Sequence, residues 1–288
     1  MSSKLIDAHQ HIWSYSRHEY SWITPDIEDL LGHDYRQEDI ADSAQELGIT
    51  GSVYIQAADT YEDTIAMFES ARRNPQILGI VGWVPLDQPE EAEAALALFS
   101  TDKRFKGVRN LTHDYGNAKY ESDDAWINRS KVRETIKVLE SKGLSLDYVA
   151  TKPEHVIQIE KIAKDFPKLN IVINHFAKPD VKNHQWDEWL SAMKLAAEHK
   201  NVFTKFSGLN VLSDWEKWTI DDWRPYLTAM IEVFHSNRIM TGGDWPFSSM
   251  ANDFSTVWRA QLQLIGELPE SDQENIKFRT ASSFYRLD

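Results

Sequence analysis

His9 and His11 stand two residues apart at the end of the first strand-like run, Leu5-Ile6-Asp7-Ala8-His9. Side chains along a strand alternate faces, so i and i+2 point the same way, and two imidazoles here would meet one ligand or ion. A third imidazole, His175, follows the apolar run Ile171-Val172-Ile173-Asn174. Near the C-terminal end, Arg238-Ile239-Met240-Thr241 stops at Gly242-Gly243, and Asp244 follows directly, ahead of Trp245-Pro246. Two glycines let the backbone bend sharply and approach other groups closely, which places Asp244 at a sheet edge where a ligand could sit. Arg109 comes at the end of Gly107-Val108, and Asp147 lies inside Leu144 to Val149. Lys205 sits within Val202-Phe203-Thr204-Lys205-Phe206. A buried ammonium must find a partner there, and Asp244, at the end of the adjacent strand, is the expected one.

Each of these residues has a plain structural alternative. A lone strand-end histidine is commonly a hydrogen-bonded core residue, Arg109 could serve a rim ion pair, and Asp244 could be a turn residue. Together they are more persuasive. Three histidines, two cations and a carboxylate at the ends of different strands supply a base, proton relays and a sink for negative charge.

The elements that must position them alternate along the chain. Strands are expected at 5–9, 52–56, 77–84, 107–110, 144–149, 170–174, 201–206 and 238–241. Helices are expected at 39–47, 61–73, 90–99, 130–142 and starting at Thr151-Lys152-Pro153-Glu154, with two more at about 253–266 and 271–284. Thr60 with Asp63, and Thr151 with Glu154, have capping-box spacing, while Gly48 and Gly143 end helices. Eight short apolar strands, each followed by a helix, imply a parallel sheet, and eight is the number that closes a barrel. The expected fold is a single (β/α)8 TIM-like barrel spanning 1–288, distorted, with long strand-to-helix loops. A doubly wound open sheet is disfavoured because no glycine-rich nucleotide loop follows the first strand.

Loop lengths say which face carries the site. Connections into strands are short, whereas those leaving them are longer, notably 14–38, 111–129, 176–187 and 208–221. The leaving loops hold Trp13, Trp22, Trp126, Trp186, Trp215 and Trp218. In barrels these loops build the active site, and an aromatic mouth suits a small organic ring such as a sugar. The same indoles could equally serve to pack the loops down.

A net charge of -14 disfavours nucleic acid or an anionic membrane as a main partner. The absence of cysteine excludes disulfide and thiolate chemistry and fits a cytoplasmic setting. No apolar run is long enough to span a bilayer. The expected partner is a small molecule, and self-association to a homo-oligomer stays open.

The stretches Ile6-Asp7-Ala8-His9-Gln10-His11, Gly107-Val108-Arg109, Ile173-Asn174-His175-Phe176-Ala177-Lys178-Pro179, Lys205-Phe206-Ser207-Gly208-Leu209 and Gly243-Asp244-Trp245-Pro246 span almost the whole chain. In this order they resemble the amidohydrolase superfamily, and within it the lactonase-like branch of L-fucono-1,5-lactone, L-rhamnono-lactone and 2-pyrone-4,6-dicarboxylate lactonases. The resemblance implies a distorted (β/α)8 barrel. It assigns the His-x-His pair to His9 and His11, the sixth-strand histidine to His175 and the eighth-strand aspartate to Asp244. Metal-rich members carry a bridging ligand such as lysine on strand four and a histidine on strand five. Arg109 and Asp147 stand there in this chain, which argues against a two-metal centre. Either no cofactor is required or one divalent ion, zinc first, is held by His9, His11 and Asp244.

The expected reaction is hydrolysis of a cyclic ester, with Asp244 as general base for water and His175, with Lys205 or Arg109, stabilising the oxyanion. His9 and His11 would orient this network or hold the metal. Candidate substrate contacts are Arg109, Lys205, Gln56, Trp83, Asp147 and Trp245. With one arginine among the strand ends, and Gln56, Asn110, Asn174, Ser207 and the tryptophans nearby, a neutral aldonolactone is preferred over an anionic aromatic-derived lactone. A metal-dependent non-oxidative decarboxylase and a non-catalytic sugar-binding protein are the other readings.

Overall fold

A computed structural model describes residues 4–112, 122–184 and 186–287. Its eight strands are β1 (Ile6–Gln10), β2 (Gly51–Ile55), β3 (Ile77–Gly82), β4 (Phe105–Asn110), β5 (Ser145–Tyr148), β6 (Ile171–Ile173), β7 (Val202–Phe206) and β8 (Ile239–Thr241). They pair in parallel in sequence order, β1 to β8. The barrel closes just above β8, where Asp244 N donates to His9 O and His11 N to Trp245 O, both at 2.7 Å. Gly242 makes that seam feasible: a Cβ there would lie 2.6 Å from His9 Cβ. Eight parallel strands with helices between them define a (β/α)8 TIM-type barrel.

Strand alternation divides the apolar residues. Tyr54, Ile80, Val108, Leu146, Ile171, Ile173 and Phe206 belong to the large core shared with the helices. Val53, Ile55, Val81, Val172 and Met240 belong to an inner cluster with Ala281, Phe284 and Tyr285. The last three come from the final helix, Thr280–Tyr285, which packs against the barrel's interior residues.

The helix ends follow local chemistry. Thr60 accepts from Asp63 N at the start of Tyr61–Arg73, and Gly143 ends Ser130–Lys142 in the left-handed conformation, at φ 65°. The box expected at Thr151 does not form. Pro153 takes the first helical position, so the N-cap falls on Lys152, and Thr151 instead meets the ring of His155 at 3.2 Å. The expected helix 271–284 is three joined segments, Glu270–Glu274, a π-helical turn Asn275–Arg279, and Thr280–Tyr285. Within the expected loop 14–38, residues 28–31 form a short helix, and Trp13, Tyr20, Trp22, Ile23, Ile27 and Leu31 make a satellite core. Part of the loop expected at 111–129 lies outside the described residues.

Candidate active site

Asp244 is buried, 3% exposed, and its Oδ1 faces three imidazoles. The Nε2 atoms of His11, His9 and His175 lie at 3.4, 3.6 and 3.8 Å from it, and those of His9 and His11 are 3.2 Å apart. Residues from β1, β6 and β8 thus meet at one carboxylate, as their strand-end positions require. Gly208 completes the wall: at φ 65°, any Cβ there would press on Asp244 Oδ2 and His175 Nδ1, both within 3 Å.

Proton positions follow from which partners can only accept. His11 Nδ1 lies 2.7 Å from the Ile55 carbonyl, so Nδ1 holds the proton and Nε2 turns a lone pair toward Asp244 and His9. His9 lies between two donors, with the Lys205 ammonium 3.2 Å from Nδ1 and Arg109 Nη1 3.3 Å from Nε2. His175 Nδ1 shares a hydrogen bond with Ser207 Oγ at 2.8 Å.

Burial favours the neutral form of each ring. It holds His9 well below its ordinary value, helped by Lys205, and His11 below as well, although Asp244 pulls His11 upward. His175 is pushed down to about 3, again by burial, against the pull of Asp244. Burial works to raise Asp244, but the neighbouring His175, His11 and Lys178 more than offset it, and the carboxyl stays below the usual range. At neutral pH the site is an ionised carboxylate among neutral imidazoles.

Lys205 does not pair with Asp244. The register sets Lys205 opposite Met240, four residues before Asp244, which lies beyond the end of β8 at Thr241. The ammonium stays inside the barrel, 2.6 Å from Asp147 Oδ2, which also accepts from Tyr285 Oη at 2.7 Å. Arg109 is held by Gln56: Nε donates to Oε1 at 2.8 Å and Nη2 donates to the Gln56 carbonyl, while Nη1 lies 3.3 Å from His9 Nε2. Gln56 and Asp147 therefore orient the cations and are not among the cavity-lining residues.

The cavity above these groups has a volume of about 180 Å³. That is below the ~300–1,000 Å³ of drug-sized pockets and selects a small ligand. His11, Arg109, His175, Lys178 and Asp244 supply its polar groups; much of the rest is apolar, including Leu111, Val149, Val211, Leu212, Phe247 and Met250. Of the six loop tryptophans, Trp13, Trp22 and Trp215 line it. Trp126 packs against Tyr148, Trp186 against Trp189 and Tyr226, and Trp218 against Trp223. Two expected contacts stand back from the cavity: Trp83 packs on Tyr61, and Trp245 edges onto Tyr35.

Lys178 is the cavity residue that sequence reasoning passed over. His175, Phe176, Ala177 and Lys178 all have positive φ, between 49° and 62°, a left-handed turn built without glycine. Such backbone costs roughly 1–2 kcal/mol per residue and concentrates at functional sites. Phe176 anchors the turn by stacking on Phe206 and accepting from Trp189 Nε1 at 2.6 Å. The turn aims His175 and Lys178 at one cavity, though nothing in Asn174-His175-Phe176-Ala177-Lys178 marks it as left-handed.

A parallel eight-stranded barrel whose strand ends gather a histidine pair, a sixth-strand histidine and an eighth-strand aspartate defines a class, the amidohydrolase-type barrels. The amidohydrolase family model matches residues 6–287, and the chain belongs to that family. The L-fucono-1,5-lactonase of Burkholderia ambifaria is 30% identical to it across 98% of this chain and 96% of that protein. The L-fucono-1,5-lactonase of Burkholderia multivorans is 25% identical across 89% of this chain and 87% of that protein. A crystal structure of an amidohydrolase from Burkholderia multivorans with bound zinc superposes with a TM-score of 0.87. It is 22% identical, with 99% of both chains covered.

Proposed function

We propose that this protein is a lactonase that opens a neutral, sugar-derived lactone, with Asp244 as general base. The observation that supports this most is the ionised Asp244 carboxylate, packed against three neutral imidazoles at the wall of a small cavity. Binding alone gives no reason to hold a carboxylate in this way. A base activating water needs an unprotonated acceptor beside the substrate, and that is what the arrangement supplies. Asp244 takes a proton from water as the water oxygen attacks the carbonyl carbon. His11, its Nδ1 tied to Ile55, and His9, tied to Lys205, keep their rings fixed around the carboxylate. Arg109, clamped by Gln56, sets a fixed positive charge at the wall.

The residues present suit one divalent ion. His9, His175 and Asp244 offer ligand atoms within 4.8 Å of one another, and His11 Nε2 joins them at 3.2 and 3.4 Å. His175 thus enters a set first drawn as His9, His11 and Asp244. A bound ion, zinc being the first candidate since a related structure holds it, would polarise the substrate carbonyl. Against it stand Arg109 and Lys205, two cations that both touch His9.

For the substrate, the relatives named L-fucono-1,5-lactonase and the apolar stretch Val149, Val211 and Leu212 favour a deoxy sugar lactone, whose methyl needs no hydrogen-bond partner. Lys178 adds a second cation to Arg109, so an anionic lactone is the reading to test beside it. The deciding experiment is a pH-indicator assay of neutral sugar lactones and aromatic dicarboxylate lactones, run with and without chelator alongside metal analysis. Opening of the deoxy aldonolactones first supports the proposal. Cleavage of the dicarboxylate lactone alone would reverse the substrate class, and an inert panel would refute the activity.

A further inference from the structure

Three cations stand in or just beneath the site, and two of them are already engaged. Lys205 is committed to Asp147 and His9, and Arg109 to Gln56 and His9. Lys178 lines the cavity with Asp244 and His175, and among the described residues no hydrogen bond or ion pair engages its ammonium. The left-handed turn His175–Lys178, closed by Lys178 N donating to His175 O at 2.8 Å, holds it at the wall.

We infer that Lys178 is the catalytic electrophile of the site: its ammonium donates to the carbonyl oxygen of the lactone and carries the negative charge of the tetrahedral intermediate. This assignment rests on the lactonase reading and gives Lys178 the part first expected of Lys205. As water's oxygen bonds to the carbonyl carbon, its proton passes to Asp244 and the C=O π pair moves to the oxygen facing Lys178. Collapse re-forms C=O and breaks the ring C–O bond, and the leaving ring oxygen takes the proton back from Asp244. The resulting hydroxy acid then loses its own proton to solvent. Lys178 keeps its protons throughout. A donor fixed where charge develops acts on the transition state more than on bound substrate.

The test compares Lys178→Asn and Lys178→Arg with wild type on the lactone that wild type opens fastest. Asparagine tolerates the left-handed backbone, so the turn persists without the ammonium; an unchanged melting temperature checks this. The expected result for Lys178→Asn is a kcat loss of about 10²–10³-fold with KM within about threefold, while Lys178→Arg returns to within about tenfold of wild type. A cyclic phosphonate, mimicking the tetrahedral anion, should lose affinity in parallel, and a neutral lactam should bind as before. A Lys178→Asn kcat within about threefold of wild type, or equal losses for phosphonate and lactam, would overturn the assignment. Failure of the lactonase reading would instead be seen in the wild type, which would open no lactone and bind no phosphonate.

Discussion

At Asp244, the proposed base chemistry requires one carboxylate to remain ionised while nearly sealed from water. Isolated in that setting it would take a proton; His175, His11 and Lys178 around it keep it charged. Asp244→Asn preserves shape and removes the acceptor. It should lower kcat by about 10²–10⁴-fold while binding of a substrate analogue changes little. Near-normal turnover in that variant would exclude Asp244 as the base. The candidate residues His9, His11, His175 and Asp244 could all be picked from their strand-end positions. Lys178 could not, because its approach depends on four successive left-handed residues that contain no glycine or asparagine.

Among the elements, the strands do more than present side chains. Asp147 on β5 and Lys205 on β7 meet inside the barrel with both side chains fully shielded. Removing one partner strands the other charge, so Lys205→Met should cost about 3–5 kcal/mol, whereas pairing it with Asp147→Leu should recover much of that loss. Urea unfolding of the single and double variants measures the difference. Additive losses would mean that the pair is not coupled. Helix starts carry a second signal. Asp63, in the first turn of Tyr61–Arg73, accepts from Ala57 N at 2.9 Å, and burial raises its pKa to about 7 despite that bond. Its folded form holds a proton that the unfolded chain has already lost above about pH 4. Its stabilising share is therefore complete below the unfolded value and disappears as pH rises through about 7. Asp63→Asn should narrow the fall in Tm between pH 5 and pH 8, and an unchanged fall would place the titration elsewhere.

Taken whole, the molecule separates catalysis from closure. The cavity opens on the face served by the loops leaving the strands, whereas the final helix packs against the inner barrel residues. From that helix, a chain of contacts runs Tyr285–Asp147–Lys205–His9 up to the site. Tyr285→Phe leaves Asp147 with one donor fewer. It should reduce stability by about 1–3 kcal/mol while kcat falls less than tenfold, since two residues separate it from His9. Denaturation and turnover measured on the same preparation check both halves, and a larger kcat loss would make the chain functional. No helix among the described residues is long and apolar enough to cross a membrane.

The barrel, its strand order and the gathering of His9, His11, His175 and Asp244 follow from sequence, because apolar periodicity sets the strands and strand ends in such a sheet share a face. Register and backbone handedness were decided only in three dimensions. Lys205 turned to Asp147 because its partner is chosen by height in the barrel, and only three of six loop tryptophans reached the cavity because loop packing is a contest among many contacts. Lys178 came to the site through a turn stabilised by Phe206 and Trp189, residues distant in the chain, so no local pattern could announce it.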